Sequence, residues 1–400
     1  MSGAAWERVD LFDPVARQSL LRDFEALVGR AGRSNLLQHP EWLIDSETVN
    51  PRAVQVYVVR EGSDLRAYAP FLIQPWSLRF LIGESTLFSI HFERIHINGE
   101  PFVERRSGNS SETELLIALI EQLRHEVTSQ RIISLEGVPV GSDLDRAIRS
   151  EPIQKLFKTM EPALRYERRL IRFPSSFQEY MQSIKSQTRQ SLRNKQHKLE
   201  RHLEGKVRLV RCIGIDDVPD FVDRAVAISK KTYQWNLLGL GLRDPEGLKR
   251  RLIAMARRGW TRCYLLECDG AATAFMIGYL HDRTYYYIDV GFDPAWEKWS
   301  VGTVLHLEVL RDLMDGDADA EGFDFSTGSG VHKKRFSNLS RLEANYLLLQ
   351  PGIRSDVLVG SYRLLNGLST FAVGLLDRLH IKTAVKRLVR THAISKASGE

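Results

Sequence analysis

Thr284–Asn338 reads TYYYIDVGFDPAWEKWSVGTVLHLEVLRDLMDGDADAEGFDFSTGSGVHKKRFSN, and its pattern decides the fold. The aromatic and β-branched run Tyr285–Val290 predicts a strand. Gly291, Asp293 and Pro294 break it. Ser300 and Gly302 stand just before a helix whose apolar face is Val301, Leu305, Val309 and Leu313, with further cover from Leu310. Gly322–Phe325 predicts a second strand, and Thr327–Gly330 a turn into a short basic helix, His332–Ser337. A strand, a crossover helix and a strand imply parallel pairing. The helix start, Ser300–Thr303, then aims unbonded N–H groups at one end of the sheet, a natural seat for phosphate.

Outward from this stretch, the second half reads as a strand at Val207–Cys212, helices at 218–231 and 245–258, and strands at 261–268, 272–280 and 284–290. Asp269-Gly270 suits a two-residue hairpin turn. Helix 301–315, strand 322–326, helix 331–338 and strand 340–349 complete the unit. The first half repeats the order roughly: a helical start, a hairpin at 53–73, helix 111–127, strand 131–136, a weak helix near 143–158 and strand 166–173. Ser111 and Glu114 make a capping box for its main helix. No residue-level repeat accompanies this pattern. The expected fold class is mixed α/β. Two domains, each a mixed sheet flanked by helices, are expected at 1–174 and 206–350, with a basic linker helix at 175–205 and a basic amphipathic helical tail at 351–400.

The chain has 400 residues and a net charge of +6, concentrated in 185–211 and 378–396. An anionic partner fits this balance: a nucleotide, tRNA or an anionic membrane surface. No apolar run reaches the ~18 residues needed to cross a bilayer. The start, MSGAAWERVD, lacks the basic-then-apolar pattern of a secretory signal. Three cysteines, Cys212, Cys263 and Cys268, show no metal spacing and read as buried thiols of a reducing cytoplasm. The helix from Phe177 to Glu204 carries Lys185, Arg189, Arg193, Lys195, Lys198 and Arg201 with few apolar positions. It reads either as a solvated linker or as a basic rim over a groove for a polyanion. In the tail, Leu364 through Val389 alternate with Arg378, Lys382, Lys386, Arg387 and Arg390, a pattern of membrane-surface or partner-binding helices.

Three segments carry a family resemblance. SIKSQTRQSLRNKQHKLE (Ser183–Glu200), YIDVGFDPAWEKWSVGT (Tyr287–Thr303) and FDFSTGSGVHKKRF (Phe323–Phe336) resemble, in order and spacing, the GNAT-like acyltransferases of the cellulose-biosynthesis (CelD-like) type, related to Fem-type peptidyltransferases. Val301 stands where that branch has proline, and His332 where it has tyrosine. Ordinary GNAT enzymes carry a Gln/Arg-x-x-Gly-x-Gly/Ala loop on the CoA pyrophosphate; here Ser300, Val301, Gly302 and Thr303 take its place with one glycine. The resemblance implies two GNAT-like domains in tandem and an acetyl-CoA or other acyl-CoA donor. It also implies transfer to an amine or hydroxyl of a small-molecule acceptor, of the cell-envelope or exopolysaccharide class. The alternatives are an aminoacyl-tRNA-dependent Fem-type transferase and a non-catalytic binding protein of the same fold. A cytoplasmic protein, peripheral at the inner face of the membrane, is expected.

Direct acyl transfer needs positioning, a base and a polarised carbonyl. No serine or cysteine triad is visible. Asp324, at the end of a parallel-type strand, is a candidate base or a turn-stabilising carboxylate. His332 is a base suited to neutral pH or a surface histidine. Asp289 is functional if it faces a cleft and must otherwise be paired. Tyr285 and Tyr287 share its face and are expected to line the same groove. Lys333 contacts a substrate phosphate or carboxylate, or is solvated. Trp235 covers the acceptor or closes the core.

Overall fold

The structure is a computed structural model that describes residues 5–45, 53–82, 85–105, 111–232, 235, 241–328 and 330–378. In chain order the elements begin with β1 (Glu7–Val9), α1 (Pro14–Ala31), α2 (Pro40–Asp45), β2 (Val54–Glu61), β3 (Asp64–Ile82), β4 (Ser85–Asn98) and β5 (Phe102–Val103). Then come α3 (Ser111–Leu123), β6 (Arg131–Pro139), α4 (Asp143–Arg149), α5 (Glu151–Leu156), β7 (Lys158–Met160) and β8 (Tyr166–Arg172). The second half has α6 (Phe177–Ser183), α7 (Ser186–His202), β9 (Val207–Cys212), α8 (Val218–Ser229), α9 (Pro245–Ala256), β10 (Cys263–Cys268), β11 (Ala271–His281) and β12 (Thr284–Phe292). It ends with α10 (Val301–Asp315), β13 (Gly322–Asp324), α11 (Val331–Phe336), β14 (Leu339–Leu349) and α12 (Ile353–Arg378).

The chain forms two compact units. One holds Met1–Arg33, Asn50–Leu164 and Ala344–Glu400; the other holds Ser34–Val49 and Arg165–Glu343. Each unit is thus assembled from separate stretches of the chain. In the second unit Trp42 of α2 packs edge-on against Tyr279, and Arg258 pairs with Glu41 and Asp45. Strand β8, from the chain's first half, pairs with β13 and with Leu339–Glu343.

Each unit is GNAT-like by its topology. In the first, the antiparallel meander β2–β3–β4 leads through α3 to β6, which lies parallel to β4. In the second, β10–β11–β12 leads through α10 to β13, parallel to β12. The chain thus has a tandem, mixed α/β fold of sheets flanked by helices. Asp269 and Gly270 both take positive φ at the β10–β11 turn, as their sequence predicts. After Ile73, β3 and β4 form one long hairpin, paired from Leu72↔His96 to Ile82↔Ser85. The expected helix from Phe177 is two, because the chain turns extended at Ile184 and Lys185. Arg189 caps the first of them by donating to the Met181 and Gln182 carbonyls. Beyond Arg378 the basic tail lies outside the described residues.

The cores follow the apolar patterns. In the second unit α10 buries Val301, Leu305, Val309, Leu310 and Leu313 against Tyr264, Met276 and Phe323 of the sheet. At about 25 cal/mol per Å² of buried apolar surface, such a face holds the helix in place.

Candidate functional site

In the second unit the parallel pair parts. β12 and β13 are in register only at Thr284↔Gly322, Tyr285↔Phe323 and Tyr286↔Asp324. β13 then stops at Asp324, while β12 runs on to Phe292. In the first unit the equivalent pair, β4 with β6, stays in register to Asn98↔Glu136, the last residue of β4. The opening therefore belongs to the second unit.

A cavity of about 520 Å³ occupies this opening. Its walls are the end of β12 (Val290, Gly291, Phe292), the start of α10 (Ser300–Thr303, His306) and one side of α11 (His332, Arg335, Phe336). Hollows of about 620 Å³ lie along the β3–β4 hairpin of the first unit; the start of α12 (Ile353–Ser355) lines one of them, but neither lies at a parting of parallel strands. The predicted phosphate seat is thus a wall of the cavity. Ser300 takes the left-handed conformation, φ 57°, and turns the chain into the helix. Its carbonyl accepts from the Thr303 and Val304 N–H groups, at 2.9 and 3.1 Å. The N–H groups of Val301 and Gly302 are left without intrahelical acceptors. No acidic residue sits in the first turn, so the helix dipole is uncancelled there.

His332 is exposed at the mouth of the cavity. Its pKa lies below the ordinary histidine value, because its surroundings strip away water and Lys333 and Arg335 repel a further positive charge. It is therefore neutral at pH 7, with a lone pair to accept a proton. His306 was not foreseen. It lies one turn inside α10 and is buried, between Phe325 and Phe336 with near-parallel rings. It hydrogen-bonds the Gly302 backbone, and burial and His332 pull its pKa down to about 3. Its Nε2 has no partner in the structure. The only sequence signal was a histidine on an otherwise apolar helix face, which reads as core.

The other predicted residues are placed differently. The Asp324 carboxylate is buried and taken by Arg168, with the Ser326 N–H donating to its Oδ1 at 2.8 Å. Lys333 donates through Nζ to the Phe325 and Thr327 carbonyls, at 2.8 and 2.7 Å, and so ties down the loop after β13. Tyr285 is wholly buried against Phe323 and Tyr264 and does not line the cavity. Gly278 makes room for it: a Cβ there would lie 2.2 Å from the Tyr285 ring. Tyr287 is also core, its ring 5.5 Å from His306. The Asp289 side chain accepts from the N–H of Val290 at 2.8 Å, and burial raises its pKa. It does not line the cavity. Trp235 is half-buried under the Arg243 guanidinium, 4.1 Å from its ring, and lies outside the cavity wall, to which Thr232 contributes. The pattern thus brings together Ser300–Thr303 and His332 and disperses the rest.

Comparison with known proteins bears on the fold. A family profile described as an acetyltransferase (GNAT) domain matches residues 186–334, from the start of α7 into α11. No curated protein matches the chain. Among solved structures, the crystal structure of FemX is similar at a TM-score of 0.56 and 11% identity, covering 83% of this chain and 96% of that one. A conserved protein of unknown function from Bacteroides thetaiotaomicron VPI-5482 is similar at a TM-score of 0.52 and 14% identity, covering 82% of this chain and 97% of that one. The likeness extends across both units and is one of fold.

Proposed function

We propose that this chain is an acyltransferase. It moves an acyl group from an acyl-CoA-type thioester directly to an amine or hydroxyl, in the cavity of the second unit. The observation that carries this reading is the parting of β12 from β13 over a helix start with free N–H groups. A diphosphate suits the Val301 and Gly302 N–H groups, and an extended arm suits the unpaired edge of β12 beyond Tyr287. The matched acetyltransferase profile spans these same elements.

In this reading His332 is the base. It accepts the proton of the acceptor's N–H or O–H as that atom attacks the thioester carbonyl; the thiolate leaves. Asp324 is set aside, because Arg168 neutralises it and both groups are buried. Asp289, with its raised pKa, is the second choice of base. His306, neutral throughout the physiological range, gives the wall a hydrogen-bond acceptor without charge. Acceptors of the cell-envelope or exopolysaccharide class rest on the family resemblance alone.

The aminoacyl-tRNA reading has one observation in its favour, the basic face of α7. For the membrane, α12 exposes Ile353, Val357 and Leu364 ahead of the basic sequence Arg378–Arg390, a combination suited to an anionic surface. Among the described residues no helix is long and apolar enough to cross a membrane.

A thermal-shift panel of acetyl-CoA, longer acyl-CoAs and tRNA, followed by thiol-release assays with amine and hydroxyl acceptors, tests the proposal. Stabilisation by an acyl-CoA and thiol release dependent on His332 are expected. Stabilisation by tRNA alone would transfer the chain to the second reading.

A further inference from the structure

Lys195 and Lys198 of α7 and Lys298, just before Ser300, add positive charge beside the cavity wall that carries Arg335. Lys195 of α7 is partly buried and stands near Arg335 of α11, and burial and that neighbouring charge both lower its pKa. Arg335 lines the cavity with Gly302 and Thr303. One turn along α7, Lys198 donates to the Lys298 carbonyl at 3.1 Å. The Lys198 and Lys298 ammonium groups lie 5.1 and 5.2 Å from the Trp299 ring, against which His202 stacks at 3.7 Å. Lys298 and Trp299 immediately precede Ser300, where α10 begins. Among the described residues none of these four cations has a carboxylate within 4 Å. The acid on the cavity wall is Glu297, exposed and single.

A lysine brought next to an arginine without a paired counter-charge costs stability, and Lys198 and Lys298 converge on one ring with no carboxylate paired to either. The arrangement is explained if an anion completes it. The helix start already accounts for two phosphates. We infer that Lys195, Lys198, Lys298 and Arg335 form a separate seat for a phosphate monoester, the group that CoA carries on its ribose in addition to its diphosphate. Trp299, fixed by His202 and flanked by both lysines, holds the floor of this seat in place. The inference rests on the acyl-CoA reading given above and extends it: this chain distinguishes a donor with the ribose phosphate from one without it.

Isothermal titration of the full chain with CoA and with 3′-dephospho-CoA tests this directly. CoA is expected to bind at least about tenfold more tightly, the effect of one lost set of charge-assisted hydrogen bonds. The double variant Lys195→Gln/Lys198→Gln, at positions off the cavity wall, is expected to bring CoA down towards the affinity of dephospho-CoA, leaving dephospho-CoA binding nearly unchanged. Its melting temperature serves as the folding control, and the wild-type comparison stands without the variant. Equal binding of the two ligands by the wild type overturns the phosphate seat while the acyl-CoA reading survives. Binding of neither ligand overturns both. Binding of bulk tRNA with no binding of CoA overturns the seat and assigns the rim to RNA.

Discussion

Arg168 and Asp324 form a buried, two-pronged ion pair: Arg168 Nε lies 3.0 Å from Oδ1, and Nη2 lies 2.6 Å from Oδ2. Both side chains are 8% exposed. The pair fastens β8 to β13 beside the point where β13 leaves β12. Asp324→Asn should therefore act on stability. Removing one partner of such a pair costs about 3–5 kcal/mol, towards the lower end here because Glu343 lies 3.8 Å from Arg168 Nη1. Urea denaturation should show the loss, and turnover per folded molecule should stay close to wild type. A stable Asp324→Asn protein with turnover reduced a hundredfold would return the carboxylate to the chemistry.

His332→Gln should leave folding intact, because the side chain is exposed, and should reduce kcat by ~10²–10⁴-fold with little change in KM. The pH profile carries a second signature. The histidine's pKa is lowered, so the wild-type acid limb should fall below pH 6.5, where the imidazole takes up its proton. The charges facing it are Lys333 and Arg335, with His306 behind. An acid limb unchanged in His332→Gln would assign the limb to another group.

Gly302→Val should weaken donor binding more than it weakens the fold. A Cβ at this position lies 3.3 Å from Phe292 Cδ1, at the cavity wall, and the larger side chain intrudes on the helix start. A loss of about tenfold or more in CoA affinity with a small change in melting temperature is expected. Titration calorimetry and a melting curve measure both, and unaltered affinity would place the diphosphate elsewhere.

His306 should make the fold sensitive to acid. Its folded pKa is about 3, against about 6.5 when unfolded. Above pH 6.5 it is neutral in both states and contributes no dependence. As pH falls from 6.5 towards 3 only the unfolded chain protonates, so stability is lost, with a slope approaching about 1.4 kcal/mol per pH unit. His306→Phe should flatten that slope. Burial also pulls the pKa of His96 in the first unit down to about 4, so part of the acid sensitivity should persist in the variant. Equal slopes for wild type and His306→Phe between pH 6.5 and 4 would contradict the assignment.

Ile353→Asp/Val357→Asp places charge on exposed apolar positions of α12 and should cost little stability. If this face meets an anionic bilayer, the wild type should float with anionic vesicles at low salt and the variant should float much less. A wild type that stays out of the vesicle fraction removes the membrane from the account.

The order of elements was legible because it rests on local chemistry. Tyr285–Val290, the break near Asp293–Pro294 and the apolar spacing of Val301, Leu305 and Val309 each act within a few residues; the structure has the strand and the helix there, with the strand running through Gly291 to Phe292 before it breaks. The helix start at Ser300–Thr303 was legible for the same reason, since a helix start presents its N–H groups whatever surrounds it. The fate of the titratable groups was not local. Asp324 is paired by Arg168, 156 residues away, and no spacing in the chain announces that partner. Lys333 is spent on carbonyls of its own loop, and Tyr285 fits a space that Gly278 leaves open on the next strand. His306 looked like a core residue and is one; only the parting of two strands makes it a cavity wall as well. Backbone conformation and apolar periodicity are determined by neighbours in sequence. Burial and charge pairing depend on neighbours in space, and those decided which side chains of this cleft are left to act.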